Sequence, residues 1–161
     1  MAESGTDINK AMSILQEGGI VAIPTETVYG LAADGTKTES VARIFEVKNR
    51  PHFDPLILHL FDDRQVTEYC KDVPEGFHRL YEQFSPGPLT FILKKTDKVP
   101  DLVTAGHETV AIRFPEHELT REVLGKSGLA LAAPSANPFG YISPTTAAHV
   151  EEQLGEHVDY I

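Results

Sequence analysis

Two cations and a pair of prolines stand close together in Lys48-Asn49-Arg50-Pro51-His52-Phe53-Asp54-Pro55, just ahead of the β-rich run Leu56 to Leu60. Pro51 disfavours helical dihedrals at Arg50, so a helix carrying Val41, Ile44, Phe45 and Lys48 should end there. Both cations would then sit at its mouth, in solvent until a ligand arrives. A cation pair on a fixed turn suits phosphate. The same side chains would also suit a plainer task, complementing the dipole at the helix C-terminus, and residue type alone leaves the two readings even. Pro134-Ser135-Ala136-Asn137-Pro138 shifts the balance. It follows directly on the apolar run Leu129 to Ala133 and reads as a polar loop at the end of a buried strand, where open α/β sheets keep their sites.

Three further groups could join such a site. Beyond Pro24, which ends an apolar strand Ile20 to Ile23, come Thr25, Glu26, Thr27 and Tyr29, placing hydroxyls and one carboxylate on a strand-end loop. They either meet a ligand or satisfy turn backbone, as threonines commonly do. Arg113 lies inside an apolar strand that begins near Thr109, and beside Phe114-Pro115 it could point into a site rather than to solvent. Ser143-Pro144-Thr145 reads as the start of the last helix, with proline at the first helical position. Its hydroxyls would serve an anion or act as an ordinary cap.

The elements that must position these residues follow from periodicity and punctuation. Asp7 caps a helix whose Ile8, Ala11, Met12 and Leu15 share a face, and Gly18-Gly19 stops it. After strand Ile20 to Ile23, Thr38 is the expected N-cap of the helix ending at Lys48, and Leu56 to Leu60 is the next strand. From Asp63 to Phe84 two short helices are interrupted by Pro74, with Phe77, Leu80, Tyr81 and Phe84 as the buried face. Pro86-Gly87-Pro88 turns into strand Leu89 to Leu93. Strand Val110 to Phe114, helix Glu118 to Lys126 and strand Leu129 to Ala133 complete the pattern before the final helix. Helices and strands so interleaved give a mixed α/β class.

Composition sets limits on what such a site can do. A chain of 161 residues is long enough to bury a core without staples. With 14 Lys plus Arg against 24 Asp plus Glu the net charge is −10, and no basic run exceeds Lys94-Lys95. That balance argues against strong autonomous nucleic-acid binding. Cys70 is the single cysteine, so no intrachain disulfide forms, and a small core residue in a reducing compartment is the natural reading. The polar stretch Met1 to Lys10 shows no secretory pattern and no apolar run approaches membrane-spanning length, so the expected location is the cytoplasm. There is no Gly-x-x-x-x-Gly-Lys-Ser/Thr and no Gly-x-Gly-x-x-Gly after a strand. The histidines show no metalloprotease spacing, and a protein-ligated metal is not expected.

Taken together, Pro24-Thr25-Glu26-Thr27-Val28-Tyr29-Gly30-Leu31, Lys48-Asn49-Arg50, Pro86-Gly87-Pro88-Leu89-Thr90, Ser135-Ala136-Asn137 and Ser143-Pro144-Thr145 resemble, in order, the motifs of the YrdC-like family of threonylcarbamoyl-adenylate synthases. Motifs in a fixed order along nearly the whole chain are far more specific than any one tripeptide. The resemblance implies a YrdC/RibB-like fold over residues 1–161: a twisted open sheet of mixed parallel and antiparallel strands flanked by helices. It implies formation of L-threonylcarbamoyl-AMP and pyrophosphate from L-threonine, bicarbonate and ATP, with Mg2+ carried by ATP, for threonylcarbamoyladenosine modification of tRNA. Downstream tRNA threonylcarbamoyltransferase proteins would be the partners.

Residue by residue, the resemblance places Thr27, His59, Arg113 and the backbone of Ala133 around threonine. It places Lys48, Arg50, Asp54, Thr109, Ser135, Asn137 and Ser143 around the nucleotide, with Lys48, Arg50, Ser135 and Asn137 nearest the chemistry. At Asp54 relatives often carry an uncharged Asn or a His; a carboxylate there repels triphosphate unless it meets ribose hydroxyls or hydrated magnesium. The family domain normally continues with a Gly-x-Glu-Ser-Thr-like segment. Val158-Asp159-Tyr160-Ile161 reads as an unfinished strand, so the expectation is a domain shortened at its C-terminal end, with impaired turnover.

Two other functions fit the same resemblance. One is an RNA-binding or ribosome-associated module without catalysis, disfavoured by the acidic balance. The other keeps the adenylate chemistry but begins from carbamoyl phosphate, as in related domains of hydrogenase maturation proteins.

Overall fold

A computed structural model describes residues 2–161. Six strands form one sheet: β1 (Val21–Ile23), β2 (Gly30–Asp34), β3 (Ile57–His59), β4 (Thr90–Lys94), β5 (Thr109–Arg113) and β6 (Leu131–Ala132). Their order is β1-β2-β6-β3-β5-β4, and β3 with β5 is the parallel pair among antiparallel neighbours. The helices are α1 (Ile8–Gln16), α2 (Thr38–Lys48), α3 (Val66–Tyr69), α4 (Glu75–Phe84), α5 (Asp101–Thr104), α6 (Glu118–Ser127) and α7 (Ala147–Leu154). The mixed sheet flanked by helices is the expected class. Cys70 is buried in the core, as its sequence reading required.

Side chains alternate along a strand, and the register carries that alternation across the sheet. Val110 and Ile112 of β5, Leu58 of β3 and Ala132 of β6 point to one face and join the main core with Val41, Ile44 and Phe45 of α2. Thr109, Ala111 and Arg113 therefore point to the other face, beside Ile57 and His59 of β3 and Leu131 of β6. Over β1, β2 and β6 this second face is covered by a smaller cluster that includes Ala11 and Leu15 of α1 and Val123 and Leu124 of α6. Over β5 and β4 it is open: Thr109 is exposed and Ile92 is 71 % exposed. The boundary between the covered and open halves is where a ligand can rest on the sheet.

Several local readings need correction. Gly30–Asp34 is a strand, buried along its whole length, that the pattern did not suggest. The N-cap of α2 is Lys37, one residue before Thr38, and makes no side-chain cap. In α4, Phe77 is buried and Tyr81 packs on the core edge, but Leu80 and Phe84 are 45 % and 49 % exposed. The last helix starts at Ala147, not at Ser143-Pro144-Thr145, because Thr146 caps it by accepting from the His149 amide. Pro144 lies outside the helix, where its carbonyl accepts the Tyr29 amide. The segment Val158–Ile161 lies between β1 and the N-terminal segment: Ala22 N–H donates to Tyr160 O, and Ile161 N–H to Glu3 O.

Candidate active site

The loop after β1 is shaped by its first threonine. Thr25 Oγ1 donates to Val28 O at 2.6 Å and accepts from the amides of Thr27 and Val28, so this residue satisfies turn backbone. Thr120 of α6, fully buried, donates its hydroxyl to Pro24 O and pins the loop from behind. Thr27 is left exposed at the tip. Tyr29 then joins three segments through its backbone: its amide donates to Pro144 O and its carbonyl accepts from Ala136 N, while Leu31 N–H donates to Pro134 O. Residues 24–29, 134–137 and 143–144, far apart in the chain, are thereby brought to one place.

A cleft of about 180 Å³ opens there, lined by Thr25, Val28, Gly30, Ile57, His59, Arg113, Ala133, Pro134 and Ser135. Gly30 admits no side chain without crowding, since an added Cβ would come within 3.3 Å of Ala133 Cβ. Arg113 reaches the 24–28 loop: its Nη2 donates to Glu26 Oε1 at 2.6 Å and to Thr27 Oγ1 at 3.0 Å. His59 is buried beneath, with Nδ1 3.2 Å from Ile57 O. Burial, then the neighbouring Arg113 charge, outweigh its backbone hydrogen bonds and push its pKa down to about 4, so the imidazole is neutral near neutral pH. Ala133 N–H is committed to Ile57 O, which leaves its carbonyl as the group able to meet a ligand. Of the four residues expected around an amino acid, His59, Arg113 and Ala133 line the cleft, and Thr27 is bonded to Arg113 beside it.

The cations are arranged differently from each other. Lys48 is almost fully buried, not in solvent as expected, and its Nζ donates to the carbonyls of Ser135, at 2.5 Å, and Asn137. The end of α2 is thereby fastened to the polar loop, and Phe139 N–H returns to Lys48 O. Burial, followed by the repulsion of Arg50, pushes the Lys48 ammonium down to about 8, with Asp54 acting in the opposite direction. Asn49 adopts the left-handed conformation that ends α2. Arg50, its side chain 13 % exposed, is not in solvent as expected either: it pairs with Asp54 at 2.9 Å and donates to Pro55 O at 3.1 Å, so it braces the turn that leads into β3. Asp54 is the partner that compensates Arg50, an arrangement the sequence did not disclose.

Of the remaining expected residues, Thr109 begins β5 two positions before Ala111, which pairs with Ile57, and so lies on the open face near the Pro55 turn. Asn137 is buried, its Nδ2 donating to Pro138 O and Tyr141 O while its Oδ1 has no partner among the described residues. Ser143 is half-buried next to Pro144 and hence near the 134–137 loop. Glu26 was visible as a carboxylate on a strand-end loop but had no assigned task. Burial works to raise its pKa, yet the hydrogen bonds from Arg113 and the Glu116 amide hold it below the usual carboxylate value. Among the described residues no group of three or more His, Cys, Asp or Glu side chains is placed to hold a metal ion. Nor do the described residues include a helix long and apolar enough to cross a membrane.

The assembled groups are donors, cations and a shielded cleft, with no nucleophile and base in hydrogen-bonded sequence. Such a site can bind a carboxylate at one end and a polyanion at the other. Comparison with known proteins gives a concordant picture. The Sua5/YciO/YrdC family model, described as telomere recombination, matches residues 13–161. Threonylcarbamoyl-AMP synthase of Pyrococcus abyssi is 44% identical over 96% of this chain and 45% of its own length. That of Bacillus subtilis is 45% identical over the same shares. The crystal structure of P. abyssi Sua5 complexed with L-threonine superposes with a TM-score of 0.96 at 40% identity, covering all of this chain and 49% of that one. The chain therefore spans about half the length of these relatives.

Proposed function

The chain belongs to the Sua5/YciO/YrdC family, and on that premise we propose that it forms L-threonylcarbamoyl-AMP and pyrophosphate from L-threonine, bicarbonate and ATP. The observation that carries this reading is the convergence of Arg113, His59, Ala133 and Ser135 on one cleft, with Thr27 bonded to Arg113 beside it. The P. abyssi relative, crystallised with L-threonine, supports the choice of amino acid. Arg113 takes the threonine carboxylate, while Thr27 and the neutral imidazole of His59 meet its hydroxyl. Ser135, Asn137, Ser143 and Thr109 hold the nucleotide, and Lys48 and Arg50 face its phosphates. Asp54, paired with Arg50, keeps the clamp from carrying two uncompensated charges before ATP arrives.

The chemistry requires no covalent enzyme intermediate. The threonine nitrogen takes up bicarbonate carbon with loss of water, and an oxygen of the resulting carbamate attacks the α-phosphorus. The bond to the β-phosphate oxygen breaks and pyrophosphate leaves, with Mg2+ entering on ATP as part of that substrate. The protein's tasks are to hold the reactants in line, shield the carbamate from water and spread phosphate charge. Threonylcarbamoyl-AMP is an activated acyl donor, and its use in tRNA modification by a downstream transferase is part of the proposal.

Amino-acid selectivity tests the cleft. A pocket built to bond a hydroxyl rejects analogues lacking it more strongly than those lacking a methyl. Pyrophosphate release at equal amino-acid concentration should follow threonine, then serine, weaker by about 1–3 kcal/mol, then valine. Valine equal to or better than serine would mean that the cleft reads shape and not the hydroxyl.

A further inference from the structure

Arg113 is paired within the protein itself, to Glu26 and Thr27. Its pairing with Glu26 is 2.6 Å long and its side chain and that of Glu26 are only 12 % and 18 % exposed. The second carboxylate oxygen of Glu26 is also occupied, accepting the Glu116 amide at 3.0 Å. The carboxylate is thus fixed at both ends, between the loop after β1 and the segment after β5. Thr27 Oγ1 takes a further bond from the same Nη2, so both protons of that nitrogen are committed. The Nε of Arg113 is buried and has no partner among the described residues. A guanidinium is a rigid planar fork, so fixing one nitrogen with two acceptors sets the plane and direction of the rest.

Resting on the threonine-binding reading above, we propose that Glu26 is a positioning residue for amino-acid selection: it fixes the plane of Arg113 so that the guanidinium's unpaired donors meet the substrate carboxylate in one orientation. Glu26 touches no substrate in this scheme. It also offsets the charge of Arg113, so the cleft recognises a carboxylate by directed donors rather than by a free positive field. The consequence is selective for the carboxylate. L-threonine and L-threoninamide, which keeps the hydroxyl and methyl but lacks the anion, should be distinguished strongly by the native protein and weakly once Glu26 is changed.

The test is calorimetric titration of the native chain, E26Q and E26A with L-threonine, L-threoninamide and ATP, beside thermal melting. E26Q keeps the shape and one acceptor but loses the charge that locks Nη2. The expected result is threonine binding weakened about tenfold or more in E26Q, the scale of a lost charge-assisted bond. ATP binding and melting temperature should stay near native, and the threonine-to-threoninamide preference should shrink by a similar factor. E26A should narrow the preference at least as far. Equal weakening of threonine and threoninamide would assign Glu26 a purely structural role and overturn the proposal. Tighter threonine binding in E26Q would also overturn it, by showing that Glu26 merely competes for Arg113. A native chain that binds no threonine would defeat the functional reading and this inference together, whereas native binding with an unchanged E26Q defeats the inference alone.

Discussion

At the scale of single residues, the two cations of the Lys48-Asn49-Arg50 turn carry different burdens, and substitution should separate them. Arg50→Ala removes a phosphate donor whose own bonds are local, to Asp54 and Pro55. We expect ATP affinity to fall by about 1.5–3 kcal/mol with little change in melting temperature. Lys48→Ala should weaken ATP binding and also lower the melting temperature, because it leaves the Ser135 and Asn137 carbonyls without their donor. Calorimetry and melting on both variants check this, and a Lys48→Ala protein as stable as native would contradict it. The position of Lys48 also sets a pH dependence. Its ammonium loses a proton near pH 8, and phosphate is bound by the charged form, so ATP affinity should decline as pH rises through that value. Lys48→Arg should hold its affinity to higher pH; a native profile flat to pH 9 would exclude Lys48 from the clamp. The residue types of this site were legible in the sequence because helix ends, prolines and strand ends mark them locally. Their partners were not: Lys48 meets carbonyls 87 and 89 positions away, and Arg113 meets Glu26 at a separation of 87.

At the scale of elements, the site depends on strand alternation in β5 and its neighbours. Ile112 points to the main core, so Ile112→Ala should cost about 2–5 kcal/mol of stability. Ile92 points to the open face, and Ile92→Ser should stay within about 0.5 kcal/mol. Denaturant unfolding of the two variants compares them directly, and similar losses would mean that the faces are misassigned. Most elements could be read from the sequence, including α1 with its Asp7 cap and the stop of α2 before Pro51, since local rules govern both. Strand β2 could not. Gly30-Leu31-Ala32-Ala33-Asp34 lacks the β-branched and aromatic residues that mark strands, and it holds its place by pairing with β1 and β6. The start of α7 was misread for a similar reason, because the task of Pro144 is set by Tyr29, more than a hundred residues earlier. Leu80 and Phe84 suited the apolar stripe of α4, but the sheet offers that helix only enough surface to cover Phe77 and Tyr81.

At the scale of the whole molecule, the order β1-β2-β6-β3-β5-β4 was beyond the reach of sequence patterns, since it is fixed by pairings between distant strands. That order places Arg113 next to His59, and His59 next to Leu131, two residues before Ala133. It is also why the residues proposed for threonine and for the nucleotide, scattered along the chain, meet on one face and its rim. The chain is acidic, with a net charge of −10, and Lys48, Arg50 and Arg113 are a few cations at one place rather than a basic track, which suits a small polyanion better than a nucleic acid. The proposed reaction joins three small substrates at this site. Pyrophosphate release from ATP, measured with L-threonine and bicarbonate together and with each omitted in turn, tests it most directly. Release is expected only when both are present, and should be lost in Arg113→Ala. Release that ignores threonine, or that requires carbamoyl phosphate in place of threonine and bicarbonate, would contradict it.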